Sequence, residues 1–295
     1  MTSSPIRAHS CAKINLALSV LGRRTDGYHE IQTIFQTIGL WDEIEFRASL
    51  QLELHCESLP GVRAEDNLVW KAASLMASTL PGKHGASITL RKRIPAGAGL
   101  GGGSGNAAVT LLALRRFWNV EISDSDLVRL AARLGSDVPF FLNGGTALGV
   151  GRGETIRPLP DIRPEHLVVV FPAVHVSTAE AYRSLNLGLT SVTEDHRIQR
   201  FCGQLQDSTC RLTGIFNDFE ASILTVYPPI KEAKEFLIER GATAALLSGS
   251  GSSVFGFFPD EESASAAARE SLREAWRVFP AKTLSRVEYL QNMFG

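Results

Sequence analysis

The sequence lacks the patterns typical of a disulfide-rich protein, of a zinc site or of a membrane anchor. Its four cysteines are scattered along 295 residues with no C-x-x-C pair, at Cys11, Cys56, Cys202 and Cys210. They are therefore expected to be free thiols in a reducing compartment. No run of 18 apolar residues is present, so no membrane-spanning helix is expected. The first residues resemble neither a signal peptide nor an organelle transit segment, and we expect a cytoplasmic protein.

The sequence also has no surplus of either charge. Thirty Lys and Arg against 31 Asp and Glu leave a formal net charge of −1. This balance argues against a broad surface for nucleic acid or for acidic membranes. A hydrophobic fraction of 44% and a charged fraction of 21% are ordinary for a globular protein, and the length allows two domains. We expect no nucleic-acid or membrane partner, and a monomer or weak homodimer.

Glycine, in contrast, is concentrated in one stretch. Six of the nine residues from Gly97 to Gly105 are glycine, a density that disfavours both a helix interior and a strand. A good helix pattern follows from Asn106 to Trp118. A glycine loop that leads into a helix places bare N–H groups at the positive end of that helix. This arrangement binds phosphate.

The glycine loop has three alternative interpretations. A Walker A loop is excluded because no Gly-Lys-Ser/Thr closes the run. The G-x-G-x-x-G pattern of dinucleotide-binding proteins is matched by Gly97, Gly99 and Gly102. However, the preceding strand at 87–94 alternates apolar and polar residues, whereas the first strand of that fold is buried on both faces. A surface loop without a ligand is disfavoured, since such a glycine density is costly without a use.

Hydrophobic periodicity predicts an α+β chain. The predicted strands are 7–20, 31–40, 43–54, 87–94, 167–171, 242–247, 254–258 and 281–284. The predicted helices are 67–80 capped by Asp66, 106–118, 123–135, a short one after Ser177 or Thr178, one from Asn217, one from Pro229 to Gly241, and a final long one capped by Asp260. Residues 186–212 give no clear pattern. Three prolines within 157–165 suggest a boundary between domains 1–160 and 161–295.

The glycine stretch at 94–108, IPAGAGLGGGSGNAA, resembles the phosphate-binding motif of the GHMP small-molecule kinases. Two further motifs of that family follow the expected order, AKINL at 12–16 and LSGSGSSVF at 247–255. RTDGYHE at 24–30, EDNL at 65–68 and GSDVPFF at 135–141 also resemble segments of one group within the family. Because these segments are ordered and span nearly the whole chain, the resemblance is specific.

The resemblance implies a two-domain α+β GHMP kinase fold with the active site in the interdomain cleft. The first domain would carry the ATP phosphate loop and the catalytic residues, and the second the substrate side. The implied reaction transfers phosphate from ATP, with Mg²⁺, to the 2-hydroxyl of 4-(cytidine 5′-diphospho)-2-C-methyl-D-erythritol in isoprenoid precursor synthesis. Homologous kinases of mevalonate or homoserine, and a nucleotide sensor without catalysis, remain alternatives.

The resemblance also implies individual roles. Asp137 would accept the hydroxyl proton, and Lys13 would hold the hydroxyl and stabilise developing charge. Tyr28 and Tyr182 would stack on the two faces of cytosine, His29 would bond its edge, and Asn15 would contact substrate. ATP would be bound by Asn67, Leu68, Lys92, Pro95, Ala96, Gly97, Ala98, Gly99, Leu100, Gly101, Gly102, Gly103, Ser104 and Gly105.

A purely structural role remains possible for several of these residues. Lys13 and Asn15 could simply face solvent, Asn67 could only cap its helix, and Tyr182 could pack in the core. Ser104 is a candidate metal contact. Gly105 departs from the family, which commonly has a second serine there, so hydroxyl contacts to phosphate at this position are in doubt.

Overall fold

The computed structural model describes residues 4–56, 63–185, 187–189, 194–206, 212–270 and 275–294. In this part of the chain the strands are β1 (Ile6–Arg23), β2 (His29–Arg47), β3 (Leu52–His55), β4 (Ala86–Arg91), β5 (Thr146–Gly151), β6 (Thr155–Pro158), β7 (His166–Phe171), β8 (Phe216–Asn217), β9 (Ala244–Leu247), β10 (Val254–Phe258) and β11 (Arg277–Lys282). The helices are α1 (Leu68–Thr79), α2 (Gly102–Phe117), α3 (Asp124–Leu134), α4 (Thr178–Ser184), α5 (His196–Gln204), α6 (Glu220–Val226), α7 (Pro228–Glu239), α8 (Glu261–Arg269) and α9 (Arg286–Met293).

The strands form two sheets. The larger sheet has the order β3-β4-β2-β1-β8, with β5 added to β2 and β6 added to β5. The long strand β2 pairs with β1 along one edge, while its other edge pairs with β4 over 43–47 and with β5 over 31–36. The smaller sheet has the order β11-β7-β10-β9 and is antiparallel throughout. Because β8 comes from the second half of the chain and pairs with β1, it ties the halves together.

Three buried apolar clusters follow this layout. One packs α1, α2, α3 and α9 against the larger sheet. Another packs α4, α6, α7 and α8 against the smaller sheet. The middle cluster joins the two sheets and includes Ile14 of β1, Leu100 of the glycine loop and Phe255 of β10. Each such fully buried side chain contributes roughly 1.5–3 kcal/mol, so the glycine loop is anchored through the apolar residues that interrupt it.

Most predicted elements are confirmed. Ser123 caps α3 through a 3.1 Å bond from the Asp126 amide to its hydroxyl, and Gly135 closes that helix. Asp260 caps α8 in the same way, with its carboxylate accepting the Ser263 amide. Strands β1, β7, β9 and β10 lie where the alternating and continuous apolar runs predict them.

The start of α2 was predicted wrongly. The helix begins at Gly102 rather than at 106, so three glycines lie in its first turn. Gly101 caps it with φ of 67°, and the Gly105 amide already donates to the Gly101 carbonyl at 2.8 Å. The low helix propensity of glycine is overridden because this turn packs against β1 at very close range. A Cβ built on Gly105 would lie 2.8 Å from Ser10 Oγ and 3.0 Å from the Cys11 carbonyl oxygen, so a serine at this position would require the packing to shift.

Other boundaries also needed correction. Asn67, not Asp66, caps α1, with its side-chain oxygen accepting the Val69 amide at 2.9 Å. The two runs predicted between 31 and 54 form one strand to Arg47 and then the separate β3. Helix α8 is not the last one, since α9 follows β11. The Ser285–Glu288 capping box that starts α9 was a readable signal that the sequence analysis missed.

The remaining expectations concern cysteines and membranes. Cys11, Cys56 and Cys202 are free, while Cys210 lies outside the described residues. Burial raises the pKa of the Cys11 thiol to about 12, so this cysteine is an unreactive core residue. Among the helices that the structure describes, none combines the length and apolar character needed to cross a membrane.

Candidate active site

The glycine loop adopts a conformation that only glycine takes readily. Gly97, Gly99 and Gly101 have φ values of 67°, 77° and 67°. Neither Gly99 nor Gly101 has room for a side chain: a Cβ on Gly99 would lie 2.1 Å from the Ser248 carbonyl oxygen, and one on Gly101 would lie 2.8 Å from a Phe141 ring carbon. The main chain is therefore held bare by close neighbours, as a phosphate cradle requires.

The loop leads directly into the N-terminus of α2. The first-turn amides of a helix have no partner within the helix and lie at its positive end. Gly103 is exposed in this turn and Ser104 is half-buried. The N-terminal half of the loop differs, since Pro95 and Ala98 are buried whereas Ala96 and Gly97 are exposed. The surface available to an anion is thus formed by glycine main chain.

The second half of the chain holds the loop in place. The Ser253 amide donates to the Ala98 carbonyl, and the Ser248 hydroxyl donates to the Gly99 carbonyl, both at 3.0 Å. Asn217 of β8 in turn fixes this serine-rich segment by donating from Nδ2 to the carbonyls of Leu247 and Gly249, at 2.9 and 2.8 Å. Residues 247–255 therefore interlock with the glycine loop across the two halves.

Lys13 and Asp137 meet beside this loop. Nζ of Lys13 lies 3.5 Å from Oδ2 of Asp137 and donates to Oδ1 of Asn15 at 2.7 Å. The Lys13 amide also donates to the Leu100 carbonyl at 2.9 Å, which ties β1 to the loop. The Lys13 side chain is only 4% exposed, against 34% for Asp137. Lys13 therefore does not face solvent, and neither does Asn15, which is 1% exposed.

Burial controls the electrostatics of the pair. Desolvation lowers the pKa of Lys13, and the Asp137 carboxylate opposes this by favouring the charged ammonium. The phenol of Tyr182 has its pKa raised by burial first and by the Asp137 charge second. The Asp137 carboxylate is therefore near enough to the Tyr182 phenol to act on it electrostatically.

The expected base-binding residues are brought together only in part. The His29 ring stacks on the Tyr182 ring with centroids 4.4 Å apart. Tyr28 is 56% exposed, and the Arg152 guanidinium lies over its ring at 4.8 Å. Burial and the nearby Arg23 charge lower the pKa of His29. A neutral imidazole can both donate and accept a hydrogen bond, as recognition of a base edge needs.

The residues expected at the adenine have other partners as well. Asn67 caps α1, as the simpler interpretation had it. Leu68 lies beside the loop, since a Cβ on Gly103 would come within 3.4 Å of its Cδ1. Lys92 donates from Nζ to Oδ2 of Asp42 at 2.5 Å and is mostly buried. Its ammonium therefore contacts the same Asp42 carboxylate that binds the Ile94 amide at the start of the glycine segment.

Sequence reasoning missed Asp42 and His175. Asp42 is completely buried, and its carboxylate binds the start and the end of the glycine segment through the Ile94 amide and Asn106 Nδ2, at 2.8 and 2.9 Å. Glu43 and Glu45 follow Asp42 closely in the sequence, so little there distinguishes this acid from its neighbours. His175 lies near the loop, 3.3 Å from a Cβ built on Gly97, and nothing in the sequence around it marks that position.

The site has few metal-ligating groups. In the described ranges no cluster of three or more His, Cys, Asp or Glu is placed to hold a metal ion. A metal here would take most of its ligands from bound phosphates and water, which is the usual mode of Mg²⁺ in phosphoryl-transfer sites. The residues present fit phosphate, because the main chain is exposed at Gly97 and at Gly103 in the first turn of α2.

A glycine loop at a helix N-terminus, beside a buried lysine and a partly exposed aspartate, is the arrangement that a small-molecule phosphotransferase requires. Comparison with known proteins agrees: residues 67–145 match the model of the GHMP kinases N terminal domain, and residues 197–278 match that of the GHMP kinases C terminal domain. This chain belongs to the GHMP kinase family. The two matched domains and the mixed helices and sheets make it a two-domain α+β fold.

Several relatives within the family share one name. A protein of Pelotomaculum thermopropionicum named 4-diphosphocytidyl-2-C-methyl-D-erythritol kinase is 42% identical, with 95% of this chain and 98% of the relative covered. One of the same name from Syntrophus aciditrophicus is 41% identical, with 86% and 90% covered. A crystal structure of 4-(cytidine 5′-diphospho)-2C-methyl-D-erythritol kinase is 36% identical, covers 94% of this chain and 99% of its own, and superposes with a TM-score of 0.78.

Proposed function

We propose that this protein transfers the γ-phosphoryl group of ATP to the 2-hydroxyl of 4-(cytidine 5′-diphospho)-2-C-methyl-D-erythritol. The observation that carries the proposal is the pair of Lys13 and Asp137, 3.5 Å apart beside the glycine cradle. Full-length relatives that are 41% and 42% identical and carry the name of such a kinase support the choice of substrate.

In this proposal the protein works mainly by positioning and by electrostatic stabilisation. Asp137 accepts the proton of the attacking hydroxyl, and its 34% exposed carboxylate is open to a substrate. Lys13 points its ammonium at the same place and stabilises the charge that develops on the transferred group. Because burial keeps water away from Lys13, its charge acts in a low-dielectric surrounding, where it is more effective.

The proposed phosphate contacts are main-chain amides of the cradle between Gly97 and Ser104, since the Gly105 amide is already bonded to the Gly101 carbonyl. The interlocking segment 247–255 supports the cradle from the other half of the chain, through the Ser253 amide and the Ser248 hydroxyl. Pro95 and Ala98 shape the loop by packing inward. Asn67, Leu68 and Lys92 are proposed to line the adenine pocket, with the aliphatic stem of Lys92 as its contact, since its ammonium is bound to Asp42.

The proposed substrate side consists of Asn15, Tyr28, His29 and Tyr182. The aromatic rings provide stacking surfaces for cytosine, and the His29 edge supplies hydrogen bonds. A bound Mg²⁺ would offset the negative charge of the ATP phosphates. The Ser104 hydroxyl in the first turn of α2 is the side chain we propose to hold it.

The proposal extends to organisation. We place the domain boundary near residue 160, just before β7, the first strand of the smaller sheet. We propose that the protein is active as a monomer or weak homodimer. The free cysteines among the described residues accord with a cytoplasmic location.

The test is direct. The purified protein is incubated with Mg-ATP and the cytidine-diphosphate substrate, ADP release is followed, and the product is identified by mass. We expect a product heavier by one phosphate. Asp137→Asn should lower kcat by roughly 100-fold or more with the affinity for ATP little changed.

Two outcomes would redirect the proposal. If ATP binds but no product forms, mevalonate and homoserine are the next acceptors to test, and CDP should then fail to compete with the true substrate. If Asp137→Asn turns over at a near-normal rate, Asp137 is not the base. Absence of turnover with every acceptor would indicate a nucleotide-dependent sensor.

A further inference from the structure

A row of buried hydrogen bonds extends from the Lys13 ammonium into the larger sheet. Lys13 Nζ donates to Asn15 Oδ1 at 2.7 Å, and Asn15 Nδ2 donates to Thr33 Oγ1 at 2.7 Å. Thr33 Oγ1 then donates to the Ala17 carbonyl at 2.8 Å. The three side chains are almost completely buried, and Thr33 has no exposed surface at all. The contacts therefore exchange little with water.

The direction of every bond in this row is determined by chemistry. An ammonium can only donate, so the Asn15 oxygen must face Lys13. The Asn15 NH₂ group then points away and needs an acceptor, which the Thr33 oxygen supplies. The single Thr33 hydroxyl proton is used on the Ala17 carbonyl. If the Asn15 amide flipped, two donors would face each other at Lys13.

Strand geometry explains how Thr33 reaches Asn15. Strands β1 and β2 pair with a register shift between Asn15 and Ala17, where a bulge interrupts the ladder. Bulges re-aim side chains and recur next to active sites. Here the register shift lies between Asn15, which contacts Lys13, and Ala17, whose carbonyl accepts from Thr33.

We propose that Thr33 is a positioning residue for phosphoryl transfer, which holds the Asn15 amide in the one orientation that keeps the Lys13 ammonium beside Asp137. This inference rests on the proposed function of Lys13. Thr33 itself contacts neither reacting group. Its role is to fix the orientation of the Asn15 amide. Without the Thr33 acceptor the buried Asn15 NH₂ group would be unpaired, which is costly, and a flipped amide would repel the Lys13 ammonium.

The variants Thr33→Val and Thr33→Ser separate the hydroxyl from the shape of the side chain. Valine keeps the branched volume and removes the acceptor, while serine keeps the hydroxyl. Thr33→Val should lower kcat by roughly 10- to 100-fold, as expected for a misplaced catalytic group, with KM for ATP changed less than about 2-fold. Thr33→Ser should retain kcat within about 3-fold.

Thr283→Val is the matched control. Thr283 is also buried, and its hydroxyl likewise accepts one hydrogen bond and donates one: it accepts from the Glu165 amide at 2.9 Å and donates to the Arg163 carbonyl. This variant should lose comparable thermal stability but keep kcat. If Thr33→Val folds with wild-type kcat, or if serine and valine at position 33 lose equally, the inference is wrong.

A readout that needs no turnover separates this inference from the choice of substrate. In the wild-type protein one proton of the Asn15 side-chain amide should exchange slowly with solvent in NMR spectra, because it is bonded to Thr33. In Thr33→Val, or in Thr33→Ala should valine prevent folding, that signal should shift and its exchange accelerate. Rapid exchange in the wild-type protein would overturn the inference whatever the enzyme phosphorylates.

Discussion

The imidazole of His29 stacks on the ring of Tyr182, with centroids 4.4 Å apart and planes inclined by 15°. Phe219 meets the same Tyr182 ring edge-on at 4.9 Å, so this ring is held from a face and an edge. A base between His29 and Tyr182 would need two ring-to-ring contacts, roughly twice the present separation. A cytosine must therefore part the two rings or lie on the outer side of the stack.

The proposed base site makes a prediction at Tyr182. Tyr182→Leu should raise KM for the cytidine-diphosphate substrate by roughly 10-fold or more, since base–aromatic stacking contributes about 1–3 kcal/mol. Tyr182→Phe keeps the ring and should change this KM little. Steady-state kinetics with both substrates measure the effect, and KM for ATP serves as the internal control. Equal KM values in the leucine and phenylalanine variants would remove Tyr182 from base recognition.

The glycine segment illustrates how far a sequence can be interpreted. A glycine loop with positive φ that leads into a helix could be predicted, because these are local properties of a few residues. The first residue of α2 could not, because helix formation at Gly102 and Gly105 depends on close packing against β1. The element types were predictable in the same way, whereas α5 was missed because its residues are mainly polar.

The partners of individual side chains were even less predictable. Lys13 follows an alternating pattern that assigns it to the polar face of a strand, and the usual partner of such a face is water. The structure buries that face because the loop at Leu100 and segment 247–255 cover it. No local pattern carries this information. The proposed catalytic pair, Lys13 and Asp137, was named only through the family resemblance, and Thr33 was not named at all.

The glycine cradle itself supplies a matched pair of variants. Gly99→Ala places a Cβ 2.1 Å from the Ser248 carbonyl oxygen in a backbone with φ of 77°. The positive φ alone should cost about 1–3 kcal/mol, and the collision should add to it. Gly103→Ala places its Cβ in ordinary contact with Leu68 inside a helix, where alanine is favoured by about 1 kcal/mol.

Thermal unfolding of the two variants measures the difference. We expect Gly99→Ala to be clearly destabilised and Gly103→Ala to be at least as stable as the wild-type protein. KM for ATP then reports separately on the cradle. A Gly99→Ala protein with unchanged stability would mean that the glycine loop and segment 247–255 do not interlock as described.

Asp42 is the buried anchor of the cradle. Its carboxylate accepts from Lys92 Nζ, from the amides of Arg93 and Ile94 and from Asn106 Nδ2, at 2.5, 2.6, 2.8 and 2.9 Å. These donors lie 50 to 64 residues away in the chain, which is why no sequence pattern could assign them. The carboxylate joins both ends of the glycine segment to β2.

Asp42→Asn should destabilise the protein by about 3–5 kcal/mol, because it leaves the buried Lys92 ammonium without a counter-charge. Adding Lys92→Met should recover part of that loss, since the uncompensated charge is then gone. Urea unfolding of the two single variants and the double variant gives the coupling free energy. If the losses in unfolding free energy of the two single variants sum to the loss of the double variant, the ion pair is contradicted. We also expect the Asp42→Asn protein to bind ATP more weakly than the wild-type protein.

The last prediction concerns the free energy that burial of Lys13 costs the fold. Burial lowers the pKa of Lys13 below its ordinary value of 10.5. Below the pKa of the folded state the lysine is charged in both the folded and the unfolded chain, so the folded protein bears the full desolvation penalty. As the pH rises through that pKa toward 10.5, the folded state loses its proton first and the penalty disappears.

Lys13→Met removes this penalty while it removes catalysis. Asp137, which is 34% exposed, can be solvated when it loses its partner. The variant should therefore be inactive and should gain most stability relative to wild type near pH 7, with the gain shrinking toward about pH 10. Urea unfolding at these two pH values tests the sign. If the stability gained by Lys13→Met instead grew with pH, the Lys13 ammonium would stabilise the fold, and its burial would not cost stability.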